Sequence, residues 1–90
     1  MAKKDDSKVF IGKKGSMDYV MAAMMVLEKQ PVRLLARGRS ISRAVDVAEI
    51  LRNRFVKGSS YGEILITTET ITNTDGTNSN VSSIEIEIIP

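Results

Sequence analysis

The sequence predicts an α+β fold of order βαβαββ. This is a two-layer sandwich, with two helices packed on one face of a mixed four-stranded sheet and the last two strands protruding as a hairpin. Three observations point to it. Apolar residues recur at the helical period over residues 17–27 and again over 41–55. A short apolar run precedes each of these stretches, at 9–11 and at 32–36. From Glu63 onward the chain changes to Ile- and Thr-rich segments of period two, separated by an Asp75-Gly76 turn signal.

Val9-Phe10-Ile11 reads as the first strand and Gly12-Lys13-Lys14-Gly15-Ser16 as a loop. Ser16 is placed to cap the first helix, and Asp18 suits the positive end of its dipole. Met17, Val20, Met21, Met24 and Leu27 form its core stripe, with the methionines as core filling, and Pro31 stops the helix by residue 30. Val32-Arg33-Leu34-Leu35-Ala36 follows as the second strand, then the turn Arg37-Gly38-Arg39-Ser40. Ser40 or Ser42 caps the second helix. Its apolar positions are 41, 44, 45, 48, 51 and 55, and Asp46, Glu49 and Asn53 mark its wet side. It ends near Phe55 or Val56, with Gly58 just beyond. Residues 63–72 and 81–89 are strands. Asp75-Gly76 between them predicts a type I′ turn, which needs positive φ at both central residues. The apolar phase shifts between Ile66 and Ile71, the mark of a bulge or a change of buried face. Residues 1–8 read as a flexible basic tail and 9–90 as a single domain, small enough for self-association to help stabilise it.

Composition removes several function classes. With no cysteine and no histidine, the chain lacks thiolate chemistry, the commonest general base and the commonest transition-metal ligand. No Asp-x-Asp cluster suggests a carboxylate metal site, so neither metal nor cofactor is expected. A nuclease or nucleotide hydrolase would need a carboxylate constellation. The acids here fall instead on the wet side of the second helix and on strand faces, which predicts a non-enzymatic protein. No apolar run approaches the roughly 20 residues of a membrane span, and the N-terminus lacks a signal-peptide pattern. A soluble, cytoplasmic protein is expected.

The charge distribution is more informative than the net +2. Residues 1–58 hold all 13 Lys and Arg against six acids, and residues 59–90 hold five acids and no base. That asymmetry points to a polyanion-binding face. Its candidate centres are the two strand-to-helix turns. Gly12-Lys13-Lys14-Gly15-Ser16 sets two ammonium groups just before a helix N-terminus, where backbone N–H groups and the dipole favour an anion. Arg37-Gly38-Arg39-Ser40 repeats the device with guanidinium forks suited to phosphate. If the first two strands are parallel neighbours, the turns meet at one end of the sheet. The lysine loop is not a Walker A loop, because its first glycine and its spacing are absent. Four aromatics are too few for a platform that stacks unpaired bases. Tyr19 lies close enough to the lysine loop to touch a phosphate or sugar, and Phe55, behind Asn53-Arg54, is a candidate self-association contact.

Ile11-Gly-Lys-Lys14, Ala36-Arg-Gly-Arg-Ser-Ile-Ser42, Ala44-Val-Asp46, Glu49-Ile50, Arg52-Asn-Arg-Phe55, Asp75-Gly76 and Val81-Ser-Ser-Ile-Glu-Ile86 resemble, in order, the Alba family of archaeal chromatin proteins. The resemblance runs from about Val9 to Ile89. It implies a non-enzymatic protein that binds double-stranded DNA, helps organise or compact the chromosome in the nucleoid, and also binds RNA. It implies a homodimer, or a heterodimer with a paralogue, whose hairpins extend as arms along the minor groove and whose dimers associate along DNA. By the same resemblance, Lys13 and Lys14 match the lysine pair at the centre of the binding surface, Lys13 being the family's acetylation target. Arg37, Gly38 and Arg39 match the second basic turn, with Arg43 just inside the helix. Asn53, Arg54 and Phe55 match the dimer–dimer contact. Tyr19, Asn78 and Asn80 complete the candidate nucleic-acid contacts.

The chain departs from the family where its hairpins commonly carry arginine. Thr77 and Asn80 stand there, and Ile88-Ile89-Pro90 replaces a basic C-terminus. Amides can hydrogen-bond sugars and base edges but cannot neutralise phosphate. Weaker and less salt-dependent DNA binding than is usual in the family is expected. The alternative is a protein acting mainly on RNA or at limited DNA sites, and a pure protein-interaction module is a third class.

Overall fold

The computed structural model describes residues 7–90. The chain runs β1 (Lys8–Phe10), α1 (Ser16–Leu27), β2 (Val32–Arg37), α2 (Ser40–Ile50), a π-helical turn (Leu51–Phe55), β3 (Ser60–Thr72) and β4 (Asn78–Ile89). The sheet order is β1-β2-β4-β3, with β1 parallel to β2 and β4 antiparallel to both β2 and β3. Both helices cover one face, which is the α+β arrangement that the periodicities predict. β1 begins at Lys8, and the Ser7 carbonyl already accepts the Arg33 N–H at 2.8 Å, so the sheet reaches one residue into the segment read as a tail. Residues 1–6 of that segment lie outside the described residues.

Strand parity sorts the side chains. Val9, Ile11, Val32, Leu34, Ala36, Ile86 and Ile88 point under the helices and are buried. Phe10, Arg33, Leu35, Arg37, Glu85 and Glu87 alternate onto the open face. The helices meet the sheet through equivalent sets, Val20, Ala23 and Leu27 in α1 and Ala44, Val47, Ala48 and Leu51 in α2. This corrects part of the predicted stripes. Met17 and Met21 are 47% and 57% exposed, and only Met24 packs partly against the core. At about 100° per residue, Met21 sits a quarter-turn or more from the Val20–Leu27 line, and small Ala23 takes the central contact. Val45 stands in the same relation to Ala44 and is 43% exposed, while Val47 is buried in its place.

Neither helix uses the expected serine cap. Gly15 and Arg39 occupy the N-cap positions without side-chain cap bonds, and Ser16 and Ser40 are already helical. Backbone turns begin both helices instead, from Asp18 N–H to the Gly15 carbonyl at 3.1 Å and from Ile41 N–H to the Gly38 carbonyl at 3.2 Å. α2 ends in a wide turn in which Val56 N–H reaches the Leu51 carbonyl at 2.6 Å, an i to i+5 bond. The extra residue rotates Phe55 off the core line and leaves it 43% exposed.

β2 pairs with β4 only as far as Arg37 opposite Ser83, whereas β3 and β4 continue to Thr72 opposite Asn78. The five further pairs form an arm that projects about 17 Å at roughly 3.4 Å per residue. Its tip is not the predicted type I′ turn, because Gly76 has φ of +89° and Asp75 does not have positive φ. Gly76 N–H bonds the Asn73 carbonyl at 3.0 Å and Asn73 N–H bonds the Thr77 carbonyl at 2.7 Å, a type I turn closed by a glycine bulge. Asp75 accepts from both the N–H and the hydroxyl of Thr77, which supplies the stability a second positive φ would have cost a non-glycine residue. The phase shift after Ile66 is a change of face. The β3 register irregularity lies earlier, between Tyr61 and Ile64, where any Cβ on Gly62 would run into the Glu87 carboxylate.

Candidate nucleic-acid interface

Because β1 and β2 are parallel neighbours, their C-terminal ends deliver both basic turns to the same end of the sheet. Two side chains build the first turn. The Tyr19 hydroxyl, from the first turns of α1, accepts Gly12 N–H at 2.9 Å and Lys14 N–H at 3.0 Å. Lys13 is thus held in a short span between two anchored residues, with its side chain in solvent. A Cβ at Gly12 would lie 3.2 Å from that hydroxyl, so the close approach favours glycine. Arg43 of α2 donates to the Gly12 carbonyl at 2.8 Å and joins the second turn's helix to the first turn.

With both lone pairs of its oxygen engaged, Tyr19 keeps its O–H free to donate outward, the polarity a phosphate oxygen requires. The sequence indicates a tyrosine near the loop but not that the loop is folded on it. Tyr19→Phe should take the acceptor from the part-buried Gly12 N–H and the exposed Lys14 N–H, at a cost of about 1 kcal/mol. Thermal unfolding should register this as a loss of roughly 4–8 °C. An unchanged melting temperature would show that the loop is shaped by something else.

The second turn is pinned to the root of the arm. Gly38 has φ of +61°, and its N–H donates to the Ser82 carbonyl at 2.8 Å. Arg39 is exposed at the start of α2. Arg37, expected in the turn, is placed in the strand instead. As the last residue of β2 it falls on the open face, with Nη1 3.4 Å from Oε1 of Glu69. That face is acid-dominated. Arg33 bonds Glu85 and lies 3.8 Å from both Glu63 and Glu87. Glu85 and Glu87 neighbour Arg33 through the antiparallel register, which no single motif displays. Lys13, Lys14, Arg39 and Arg43 have no ion-pair partner among the described residues at this end, and of the four only Arg43 is engaged by a hydrogen bond, to the neutral Gly12 carbonyl.

On the arm, Asn78 and Asn80 are exposed and paired with Thr72 and Thr70, whose hydroxyls donate to the amide oxygens at 3.1 and 3.2 Å. Asn53, Arg54 and Phe55 lie apart from all of these, on the π-turn at the far end of α2. Asn53 bonds Glu49 at 3.3 Å, and Arg54 and Phe55 face solvent. Glu49 also accepts from the Tyr61 hydroxyl, and the Arg52 guanidinium stacks 4.5 Å over the Tyr61 ring. The cluster fastens the π-turn to the start of β3.

Tyr61 and then Asn53 hold the Glu49 carboxyl below the usual carboxylate range, and Thr77 does the same for Asp75. The folded chain therefore binds these protons less readily than the unfolded chain does. Their contribution is complete at neutral pH and is lost as pH falls through the depressed folded values. Melting should occur at lower temperature near about pH 3 than at pH 7, and Glu49→Gln should narrow the gap. A gap unaffected by Glu49→Gln would remove Glu49 from the account.

These features define a small α+β protein whose two glycine-flanked basic turns share one end of a mixed sheet beside a long polar arm. The Alba family model matches residues 7–73, and the chain belongs to the Alba family. It is 49% identical over 84 residues to the DNA/RNA-binding protein Alba of Methanothrix thermoacetophila, covering 91% of this chain and 93% of that protein. It is 43% identical over 86 residues to the protein of the same name from Thermoplasma volcanium, covering 93% and 96%. The solved structure of Alba from Thermoplasma volcanium superposes with a TM-score of 0.86 at 44% identity, over 92% of this chain and 99% of that one.

Proposed function

We propose that the chain is a non-enzymatic nucleic-acid-binding protein. It binds double-stranded DNA through phosphate contacts as a dimer, helps organise the chromosome in the nucleoid, and binds RNA as a second ligand. The observation that carries this reading is the meeting of the two basic turns at one end of the sheet, with Arg43 tying one to the other. The names of the relatives, DNA/RNA-binding proteins, support it. Lys13, Lys14 and Arg39 supply the phosphate contacts and Tyr19 a hydroxyl. Acetylation of Lys13 would remove one charge from the centre of the surface. Asn53, Arg54 and Phe55 serve dimer–dimer association. No helix among the described residues is long and apolar enough to cross a membrane.

The exposed cations Lys13, Lys14 and Arg39, three per protomer and doubled in a dimer, set the expected salt dependence, Arg43 being held on the Gly12 carbonyl. The slope of log affinity against log salt on duplex DNA should be about −5. A slope near zero would sink the phosphate mechanism, and one as steep as about −8 would mean that further cations take part. The uncharged arm favours a second reading, a protein acting mainly on RNA or at limited DNA sites. Competition of structured RNA against duplex DNA at physiological salt separates the two. Displacement of DNA by equimolar RNA would favour the second.

A further inference from the structure

We infer that the arm discriminates base composition, Asn78 and Asn80 forming a single-file row of amide donors that prefers A·T pairs read from the minor groove of duplex DNA. The inference rests on the nucleic-acid reading above and adds a specificity to it.

Four observations carry it. Asn78 and Asn80 lie on one strand two residues apart, on the side of the arm continuous with Ile84 and Ile86, the side the helices cover. The Thr72 and Thr70 hydroxyls each donate to an amide oxygen, which turns the two Nδ2 groups outward as donors. The arm leaves the body at Ser82, whose carbonyl is bonded to Gly38 in the second basic turn, so a duplex held on the turns lies beside the arm's root. Residues 59–90 contain no Lys or Arg, while Glu69 and Asp75 are on the arm, so nothing there draws it along phosphates.

A row of like donors matches one groove better than the other. In the major groove every base pair mixes donors with acceptors. In the minor groove an A·T pair of either orientation presents only the acceptors adenine N3 and thymine O2, and a G·C pair adds the guanine amino donor. Donor facing donor leaves both unpaired. Alternate residues of a strand are about 6.8 Å apart, close to two steps of the roughly 3.4 Å base-pair rise, so the two amides can address two sites in register. Single file also suits a groove only about 6 Å wide, because the side chains enter it and the ribbon does not.

The test uses the full-length protein and three duplexes of equal length, built from A·T, G·C and inosine·C pairs. Inosine·C keeps the major-groove edge of G·C but lacks the minor-groove amino group. The wild type should bind the A·T and inosine·C duplexes about five-fold or more tightly than G·C. The double variant Asn78→Ala/Asn80→Ala should bind all three within about two-fold of one another, with unchanged circular dichroism. Thr70→Val/Thr72→Val, which keeps the amides but frees their orientation, should lose part of the preference. Equal wild-type affinity for the three duplexes overturns the inference, as does inosine·C behaving like G·C or a preference that survives in the double asparagine variant. A wild type that binds none of them overturns the nucleic-acid reading itself.

Discussion

Replacing Lys13 and Lys14 together by alanine should weaken duplex binding on the order of a hundredfold at low salt and flatten the salt slope by about 3.5. Both side chains are exposed and neither is engaged by an ion pair or hydrogen bond among the described residues, so their charge is fully available to a ligand. The loop should keep its shape in the variant. Tyr19 holds it through backbone N–H groups of Gly12 and Lys14, which alanine retains. The melting temperature should accordingly stay within about 2 °C of the wild type. The proposed dimer would present the pair twice, and the loss of four phosphate contacts at about 0.9 each accounts for the slope. Arg37→Ala is the informative comparison. Its guanidinium is shared with Glu69 on the opposite face, so its removal should change affinity by no more than about three-fold. Equal losses in the two variants would mean that Arg37 leaves Glu69 on binding. A double lysine variant within about two-fold of the wild type would remove the first turn from the interface.

The pattern of success at the sequence level has a physical cause. Element order was legible because periodicity and glycine placement are local and redundant, as in Val9-Phe10-Ile11 before Gly12 and Val32 to Ala36 before Gly38. The sequence carries the parallel pairing of β1 with β2 only as a condition, which the sheet fulfils. The meeting of the two turns at one end follows from that pairing. Details settled by tertiary geometry were not legible. Met17 and Met21 have the right spacing for a core stripe, but a stripe's centre depends on which neighbour is small enough to touch the sheet, and here Ala23 takes that place. Ser16, Ser40 and Ser42 have the right chemistry for caps, yet the chain enters each helix through a backbone turn one residue earlier. Arg37 could have been assigned from parity, since Val32, Leu34 and Ala36 face inward and residue 37 must then face out. Reading it as part of a loop concealed that. The roles of Tyr19 and Arg43 involve partners 5 to 31 residues away, and no motif carries such a signal.

Ile66→Glu should separate the protomers of the proposed dimer and reduce duplex affinity by on the order of a hundredfold or more. α2 packs on β2 and β4, and the helix-side face of the outer strand β3 extends beyond it. Ile66 and Ile64, two residues apart on that face, are 76% and 48% exposed and form a contiguous apolar patch. Val45, on the outward side of α2, adds to the apolar surface on the same side of the sheet. A second copy laid against these residues would bury side chains worth roughly 1.5–3 kcal/mol each when fully covered. A carboxylate at position 66 would have to be desolvated without a partner, which reverses the balance. Because Ile66 makes no part of the monomer core, the variant should keep its helical and strand content, and loss of binding could then be attributed to assembly. Its expected size follows from multivalency. Two patches on one particle make the second binding event intramolecular, and separating them forfeits that advantage while halving the salt slope. Light scattering on the purified variant, with binding measured at the same concentration, decides the matter. An Ile66→Glu protein that remains dimeric would place the self-association surface elsewhere. A monomer that binds as tightly as the wild type would show that each protomer carries a complete nucleic-acid site.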